Sequence, residues 1–439
     1  MASGHSLPGV VTLKEARRIV ELHAESALRG AREHPTETVD LLAARGRVLA
    51  ETIIADRDFP PFHRATRDGY ALKAIDVARV PARLKVVGEI KAGDSQGGVF
   101  GSTALRSGET VSIMTGAPLP MGADAVVMVE DTAAIELPLS SEADSPNTSG
   151  GGAERLAEIR RSVRAGENFV PCGAEARAGH VLIDKGRRID PALIGIAASV
   201  GWGRVKVHPR PRVAVLATGN EVVEMDTVPA AAQIRNSNSY SLAAQIEEAG
   251  GEAVRLQIAP DERKRLRELI EEGLGYDLLL ITGGVSMGKY DLVEVVLEEM
   301  KAEFHFTGAL IQPGKPVVFG TCNAGSQGKH FFGLPGNPVS TMVTFRLFAQ
   351  PMIAALAGAR PEPLVFLKAR TKAEVRHKTG LTRFLPAVIS GEFEDAEVEL
   401  AAWQGSGDIA ALARTNCYLV VPPDQERIAA KEWVSVLPR

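Results

Sequence analysis

Residues 277–302 read DLLLITGGVSMGKYDLVEVVLEEMKA, and this stretch decides the fold. DLLLIT is an apolar run without polar alternation, the pattern of a strand buried on both faces. TGGVSMG (282–288) interrupts it, and DLVEVVLEEMKA predicts a helix, with Asp291 and Glu294 forming a capping box at its start. The same unit recurs on either side. RVAVLAT (212–218) predicts a strand and NSYSLAAQIEEAGG (238–251) a helix stopped at Gly250. EAVRLQIA predicts a strand and DERKRLRELIEEGL a helix. PVVFG and HFFGL predict two more strands, and PVSTMVTFRLFAQPMIAALAG (338–358) a long helix. Alternating apolar strands and helices predict an α/β domain over 212–358, its parallel sheet covered on both faces.

Working outward, residues 12–50 read as two helices, TLKEARRIVELHAESAL and VDLLAARGRVLA. From 52 to 135 short alternating runs (LKVVGEI, GETVSIM, ADAVVMVE) predict a β-rich segment. SSEADSPNTSGGG (140–152) reads as a surface loop without chemistry. DPALIGIAASVG (190–201) predicts a helix, and HPRPR (208–212) marks a boundary. After PEP (361–363) five alternating segments predict a small C-terminal β-barrel or sheet.

The chain has 439 residues, with 50 Lys+Arg against 54 Asp+Glu and a formal net charge of −4. That near balance argues against bulk nucleic-acid binding, which needs a strong basic excess. The apolar runs fall short of a membrane span, and MASGHSLPGV lacks the basic and apolar regions of a signal peptide, so a cytoplasmic protein is expected, with no membrane partner. Cys172, Cys322 and Cys417 are too widely spaced for a metal pattern or a disulfide framework. The less ordinary numbers are 43 Gly and 26 Pro.

Much of that glycine stands where an α/β domain carries chemistry. TGN (218–220), TGGVSMG (282–288) and GLPGNP (333–338) each lie just past a predicted strand, where open α/β sheets bind ligands. QPGKP (312–316) adds Lys315 to the same region. Loop amides backed by helix N-termini make an oxyanion or phosphate site. Structural roles stay open beside this: Asn337-Pro338 is an N-cap with Pro at the first helical position, Asp261 can cap the next helix, and Thr282 and Ser286 can satisfy loop amides. Neither GxxxxGK[ST] nor GxGxxG occurs, and no HxH or HExxH pattern suggests zinc. Outside the α/β segment, FPPFHRATRDGYA (59–71) and MTGAPLPMGADAVV (114–127) display Asp68 and Thr115 on rigid connections, either tight turns or a ligand surface.

PPFHRATRDGYA, IMTGAPLPMGADAVVMVED, RPRVAVLATGNE, LLITGGVSMGKYD, QPGKPVVFG, GLPGNPVSTMVTF and QGSGDIAALARTNCYLVVPP together resemble the molybdopterin molybdenumtransferases, of the bacterial MoeA type and the C-terminal half of gephyrin. The resemblance runs from about residue 10 to the end. It implies an α/β multidomain fold: a doubly wound α/β molybdopterin-binding-like domain (209–360), a discontinuous elongated dimerisation domain (1–50 with 155–208), a β-rich domain with the DGYA and MTGAP loops (51–154) and a C-terminal β-barrel-like domain (361–439). It also implies molybdate insertion into adenylylated molybdopterin with release of AMP, dependence on Mg²⁺, and a homodimer whose active-site cleft lies between subunits. The upstream adenylyltransferase is an implied partner.

By the same resemblance Asp68, Thr115, Glu221, Asp261 and Asp291 are catalytic positions, Glu221 and Asp291 being nearest the metal. Gly219, Thr282, Gly283, Gly284 and Ser286 line the substrate site. Pro313, Gly314 and Lys315 of QPGKP belong to it, as do Pro335, Gly336, Asn337 and Ser340. Arg383 and Ser406 reach it from the C-terminal domain. The chain departs from the family at Ala65 (a serine elsewhere), Asn220 (an aspartate), and Gly308 and Gln312 (often lysines), while Arg64 and Arg67 add charge to the DGYA loop and Glu175 stands in for an aspartate. These changes motivate two alternatives: a paralogue that binds pterin or nucleotide without turnover, and a molybdopterin adenylyltransferase.

Overall fold

The structure, a computed structural model, describes residues 9–33, 35–94, 104–137, 154–284, 292–324 and 327–439. The 140–152 tract, Ser286 and Asp291 lie outside the described residues. The chain divides into two compact units. One comprises residues up to 51, 185–194 and 203–439; the other comprises 52–184 and 195–202.

The first unit opens on helix α1 (Leu13–Ala31). Thr12 caps it, its Oγ1 accepting from the Glu15 amide at 3.2 Å. Ala16, Val20, Ala24 and Leu28 recur at four-residue spacing and are buried in the core of the α/β domain. The apolar stripe of α1 packs into the α/β domain. The second predicted helix, over VDLLAARGRVLA, does not form. Glu37–Asp40 pairs antiparallel with Arg204–Val207, a single 3₁₀ turn follows over Leu41–Ala44, and Gly46 takes φ 76°. A glycine in the left-handed region stops any helix there, and the β-pairing of Val39 with Val205 decides the rest.

The second unit is built on a six-stranded sheet of β1 (Gly69–Leu72), β2 (Ala82–Ile90), β3 (Glu109–Ile113), β4 (Ala125–Met128), β5 (Thr132–Leu137) and β6 (Glu154–Ile159), in the order β4-β1-β3-β2-β6-β5. In this sheet Glu154–Ile159 pairs antiparallel with both β2 and β5. Strand alternation divides its core. Leu72 and Val127 face one apolar cluster, while their neighbours Ala71 and Val126 face the other.

The α/β domain of the first unit continues with β7 (Arg212–Ala217), α2 (Asn238–Glu248), β8 (Glu252–Arg255), α3 (Arg263–Gly273), β9 (Leu278–Thr282), α4 (Leu292–Glu299), β10 (Glu303–Phe306), β11 (Val318–Ala324), β12 (Gln327–Leu334), α5 (Pro338–Thr344) and α6 (Gln350–Leu356). The sheet order is β8-β7-β9-β12-β11-β10. The first four strands are parallel; β11 runs antiparallel to both β12 and β10, so the wholly parallel sheet expected from sequence ends in an antiparallel edge. Val213, Val215, Leu278 and Leu280 face α1, α2, α5 and α6; Ala214, Leu216, Leu279 and Ile281 face α3 and α4. Both faces are therefore covered, as the unbroken apolar strands require.

Helices α5 and α6 are joined by a π turn over Phe345–Ala349. Pro351 lacks an N–H and would clash with the preceding turn of a regular helix; the wider turn relieves this. The combined stretch, 338–356, is long and apolar enough to cross a membrane by length and composition, which the sequence reading did not register. It is 67% buried, and it is a core helix of the domain.

At the other end of the sheet three histidines meet. His23 of α1 and His305 of β10 have ring centroids 4.0 Å apart, and His330 Nε2 of β12 lies 3.3 Å from His23 Nδ1. Burial is the main cause that drives His305 and His330 down from 6.5 to about 4, with His23 opposing their protonation too. The unfolded chain takes up protons between pH 6.5 and about 4 that the folded chain refuses. The contribution of these two histidines to stability is therefore full above about pH 6.5 and declines as pH falls towards 4. His330→Phe should flatten the melting temperature between pH 7 and 5; an unaltered slope would remove the cluster from the acid response.

The C-terminal domain is a closed five-stranded barrel of β13 (Leu367–Thr371), β14 (Thr382–Ser390), β15 (Glu397–Leu400), β16 (Cys417–Val421) and β17 (Trp433–Pro438), with a short helix α7 (Ile409–Leu412). Ring order is β14-β15-β13-β17-β16, closed by the β16–β14 pairing. Ile311–Gln312 of the α/β domain adds in parallel beside Thr382–Arg383 at the start of β14.

Candidate functional site

Three loops leave the C-terminal ends of β7, β9 and β12, and the backbone ties them together. The Thr218 amide donates to the Thr282 carbonyl at 3.0 Å, and the Gly283 amide to the Leu334 carbonyl at 3.4 Å. Such approach demands glycine. Gly283 has φ 90°, and a Cβ there would lie 2.5 Å from the Thr218 carbonyl oxygen. Asn238, at the start of α2, locks the assembly. Its Nδ2 donates to Thr282 Oγ1 at 2.9 Å and to the Gly336 carbonyl at 2.7 Å.

These loops enclose a cleft of about 300 Å³ lined by Thr218, Glu221, Arg235, Asn238, Thr282, Gly283, Gly336, Asn337 and Gly407. Helices α2 and α5 both begin in it. Some of their first amides are already engaged, Ser239 with Asn236 Oδ1 and Val339 with the Ser406 carbonyl, so it is the positive ends of the two helix dipoles that favour phosphates and other oxyanions there. Two buried atoms in this cleft, Thr218 Oγ1 and Asn238 Oδ1, have no hydrogen-bond partner among the described residues. Burying polar atoms without partners is costly, and a ligand with complementary groups removes that cost.

Glu221 carries the cleft's carboxylate. It folds back over the loop, so a Cβ at Gly219 would meet its Oε2 at 2.5 Å. The cleft thus gathers Glu221, Thr282, Gly283, Gly336 and Asn337, with Gly219, Gly284 and Pro335 in the adjoining loop backbone. Gly284 abuts Thr218 and Val293, and the Pro335 carbonyl accepts from Thr282 and Thr341. Asp261 does not line it and does not cap α3, whose N-cap residue is Glu262. It pairs instead with Asn220: the Asn220 amide donates to Asp261 Oδ2 at 3.3 Å and the Asp261 amide to Asn220 Oδ1 at 3.1 Å. An aspartate at 220 would set two carboxylates against each other, which the amide avoids.

Asn337 is the N-cap residue of α5, but its side chain makes no capping bond. Its Nδ2 donates to Ser406 Oγ at 2.9 Å, and the Val339 amide donates to the Ser406 carbonyl at 3.0 Å. Ser406 therefore reaches the site from the barrel, through Asn337. A double-mutant cycle of Asn337→Ala and Ser406→Ala should show a coupling of about 1 kcal/mol in thermal stability; additive effects would mean that the bond carries no energy.

The QPGKP loop flanks α5 without lining the cleft. A Cβ on Gly314 would meet Thr344 Cγ2 at 2.5 Å and the Ser340 carbonyl at 3.6 Å, placing Pro313, Gly314 and Lys315 beside the first turns of α5. Arg383 stands in register with Gln312; it is 7% exposed, its Nη2 donates to the Lys378 carbonyl at 2.7 Å, and its Nε has no partner. At Gly308 a Cβ would lie 2.9 Å from Val10 Cγ2, so a longer side chain does not fit there without movement of Val10.

In the other unit, Asp68 Oδ1 accepts from the Thr115 amide at 2.6 Å. That bond, with a further one from the Thr115 side chain, holds the Asp68 carboxyl below the usual aspartate range. Ala65, buried in the same unit, zips the two loops: its amide donates to the Ala117 carbonyl at 3.0 Å and its carbonyl accepts from Gly116 at 2.8 Å. Arg64 is paired with Glu175 at 2.9 Å, while Arg67 is exposed.

Among the described residues no three His, Cys, Asp or Glu side chains gather to hold a metal. Sequence reasoning missed Thr218, Arg235 and Asn238 as site residues. The run Asn236-Ser237-Asn238-Ser239 was a visible signal, since short polar side chains ahead of a helix satisfy loop amides.

Three family models match the chain: the MoeA N-terminal region (domain I and II) over residues 11–201, a probable molybdopterin binding domain over 214–355 and the MoeA C-terminal region (domain IV) over 368–438. The molybdopterin molybdenumtransferase of Staphylococcus aureus is 31% identical over 408 residues, covering 92% of this chain and 91% of its own length. That of Nostoc sp. is 32% identical over 414 residues, covering 92% and 89%. Among solved structures, the molybdopterin biosynthesis moeA protein from Pyrococcus horikoshii OT3 is 28% identical with a TM-score of 0.72, covering 98% of this chain and 100% of its own.

Proposed function

The chain belongs to the MoeA-type molybdopterin molybdenumtransferase family of molybdenum cofactor biosynthesis, and from this premise we propose that it inserts molybdate into adenylylated molybdopterin and releases AMP. The observation that carries the reading is the cleft itself, where two helix N-termini, three glycine loops and two unpartnered polar atoms converge. Adenylylated molybdopterin carries a pyrophosphate, and molybdate is a tetrahedral oxyanion; both match such donors. In this reading the loop backbone at Gly336 and Asn337, with the helix N-termini behind it, faces the phosphates, and Asn238 Oδ1 accepts a donor from the pterin or ribose. Lys315, Ser340, Arg383 and Ser406 complete the ligand's surroundings, and Asp68 and Thr115 are proposed to be supplied by a second subunit.

Mg²⁺ fits the cleft's donor set. The ion typically takes one or two carboxylates together with substrate phosphate oxygens, and Glu221 supplies a carboxylate beside the phosphate-binding amides. When bound it would neutralise charge on the phosphate leaving group. Glu221 and Asp291 are its proposed ligands. Homodimerisation through 1–50 with 155–208, delivery of substrate by the upstream adenylyltransferase, and action in the cytoplasm belong to the same proposal.

Neither alternative is favoured. The relatives matched over nearly the whole chain bear the name molybdenumtransferase, and adenylyl transfer leaves the regions outside the central domain without a role. Purified protein given Mg²⁺, molybdate and adenylylated molybdopterin should release AMP in step with cofactor formation. Tight pterin binding without AMP release, or failure to restore a strain lacking the insertion step, would refute the proposal.

A further inference from the structure

Farther along the two helices that open into the cleft lies a second cavity, of about 570 Å³, lined by Gln245, Glu248, Arg346, Asn416, Tyr418 and Arg439 among others. Gln245 is seven residues beyond Asn238 on α2, about 10 Å along the helix axis. Its volume is within the range of metabolite sites.

The polar groups around it are incompletely used. Arg346 Nη1 donates to Gln350 Oε1 at 2.7 Å, but its buried Nε has no partner. Arg439 Nη1 donates to the Leu412 carbonyl, to the Thr415 carbonyl at 2.9 Å and to Thr415 Oγ1 at 3.2 Å. Neither guanidinium has a carboxylate within 4.0 Å among the described residues, unlike the many arginines here that are ion-paired. Gln245 Nε2 donates to the Met342 carbonyl at 3.3 Å, leaving Oε1 buried and unpartnered. Tyr418 is 3% exposed. Burial pushes its phenol up to about 12 although Arg439 and Arg346 both act to lower it, so it is a protonated donor at neutral pH, within the field of both cations.

We propose that this cavity is a second ligand site, binding a metabolite-sized molecule whose phosphate or carboxylate sits between Arg346, Arg439 and the Tyr418 hydroxyl. Two uncompensated guanidinium groups and a phenolic donor select an oxyanion. Gln245 Oε1 accepts a hydroxyl or amine of the same molecule, and the exposed Glu248 at the rim disfavours extra negative charge there. The occupant would bridge α2 and the π turn after α5 to β16, which carries Tyr418, and to Arg439 just beyond β17.

Isothermal titration of the full-length protein with glycerol 3-phosphate and with citrate separates the two oxyanion sources. Saturable binding of one of them is expected, weakened about tenfold by Arg346→Gln and about fivefold by Tyr418→Phe, and unchanged by Asn337→Ala in the cleft. Should Arg346→Gln fail to fold, Arg439→Ala and Tyr418→Phe give the same reading. Binding of neither probe, binding that survives these substitutions, or binding lost in Asn337→Ala would each overturn the proposal.

Discussion

Glu221→Ala should reduce molybdate-dependent AMP release by roughly 10²–10³-fold, the scale of removing one well-placed electrostatic group from an active site. The expectation follows from placement. Glu221 carries a carboxylate in the cleft, and it lies folded over Gly219 beside amides that suit phosphate. Neighbouring Asp261 cannot take over, because it is engaged with Asn220. Glu221→Gln preserves shape but weakens cation binding, so its Mg²⁺ requirement should rise steeply while adenylylated molybdopterin still binds. Full activity in Glu221→Ala at ordinary Mg²⁺ would exclude the residue from catalysis.

The second large effect concerns the loops rather than the chemistry. Gly283→Ala should destabilise the protein by about 2–4 kcal/mol, combining left-handed strain with a backbone clash. Its φ is 90°, and the new Cβ would press on the Thr218 carbonyl of the neighbouring loop at 2.5 Å. The loops must then separate, and activity should fall at least about 10²-fold, since a displacement near 1 Å has that consequence. Gly380→Ala is the control: it shares a positive φ of 96° but has nothing within 4 Å, so only the strain remains, about 1–2 kcal/mol. Equal loss in the two variants, measured by thermal unfolding, would show that loop contact is not the cause.

The α/β architecture was legible because its strands are buried on both faces and need long apolar runs, bounded by glycine where the chain reverses. The three glycine loops were legible for the same reason. What could not be read locally depends on distant partners. Asn337 looks like a cap by its spacing, yet its amide is drawn to Ser406, 69 residues later. Asp261 looks like a cap too, but Asn220 claims it across the loops. The histidine cluster comes from His23, His305 and His330, which no sequence window holds together. The missed β10 and the false helix over 39–50 share one cause: short strands are decided by pairing, as Val39 with Val205, rather than by period.

Besides the apolar core that Phe384, Leu412, Tyr418 and Leu437 share with it, the barrel is hydrogen-bonded to the α/β domain at two separated places among the described residues, by Ile311–Gln312 beside β14 and by Ser406 beside the start of α5. Two attachments form a truss where one would form a swivel. A force applied at the C-terminus would then load both seams together, and the barrel should resist being pulled away as a free-standing lobe until the main-chain seam at residues 311–312 gives way.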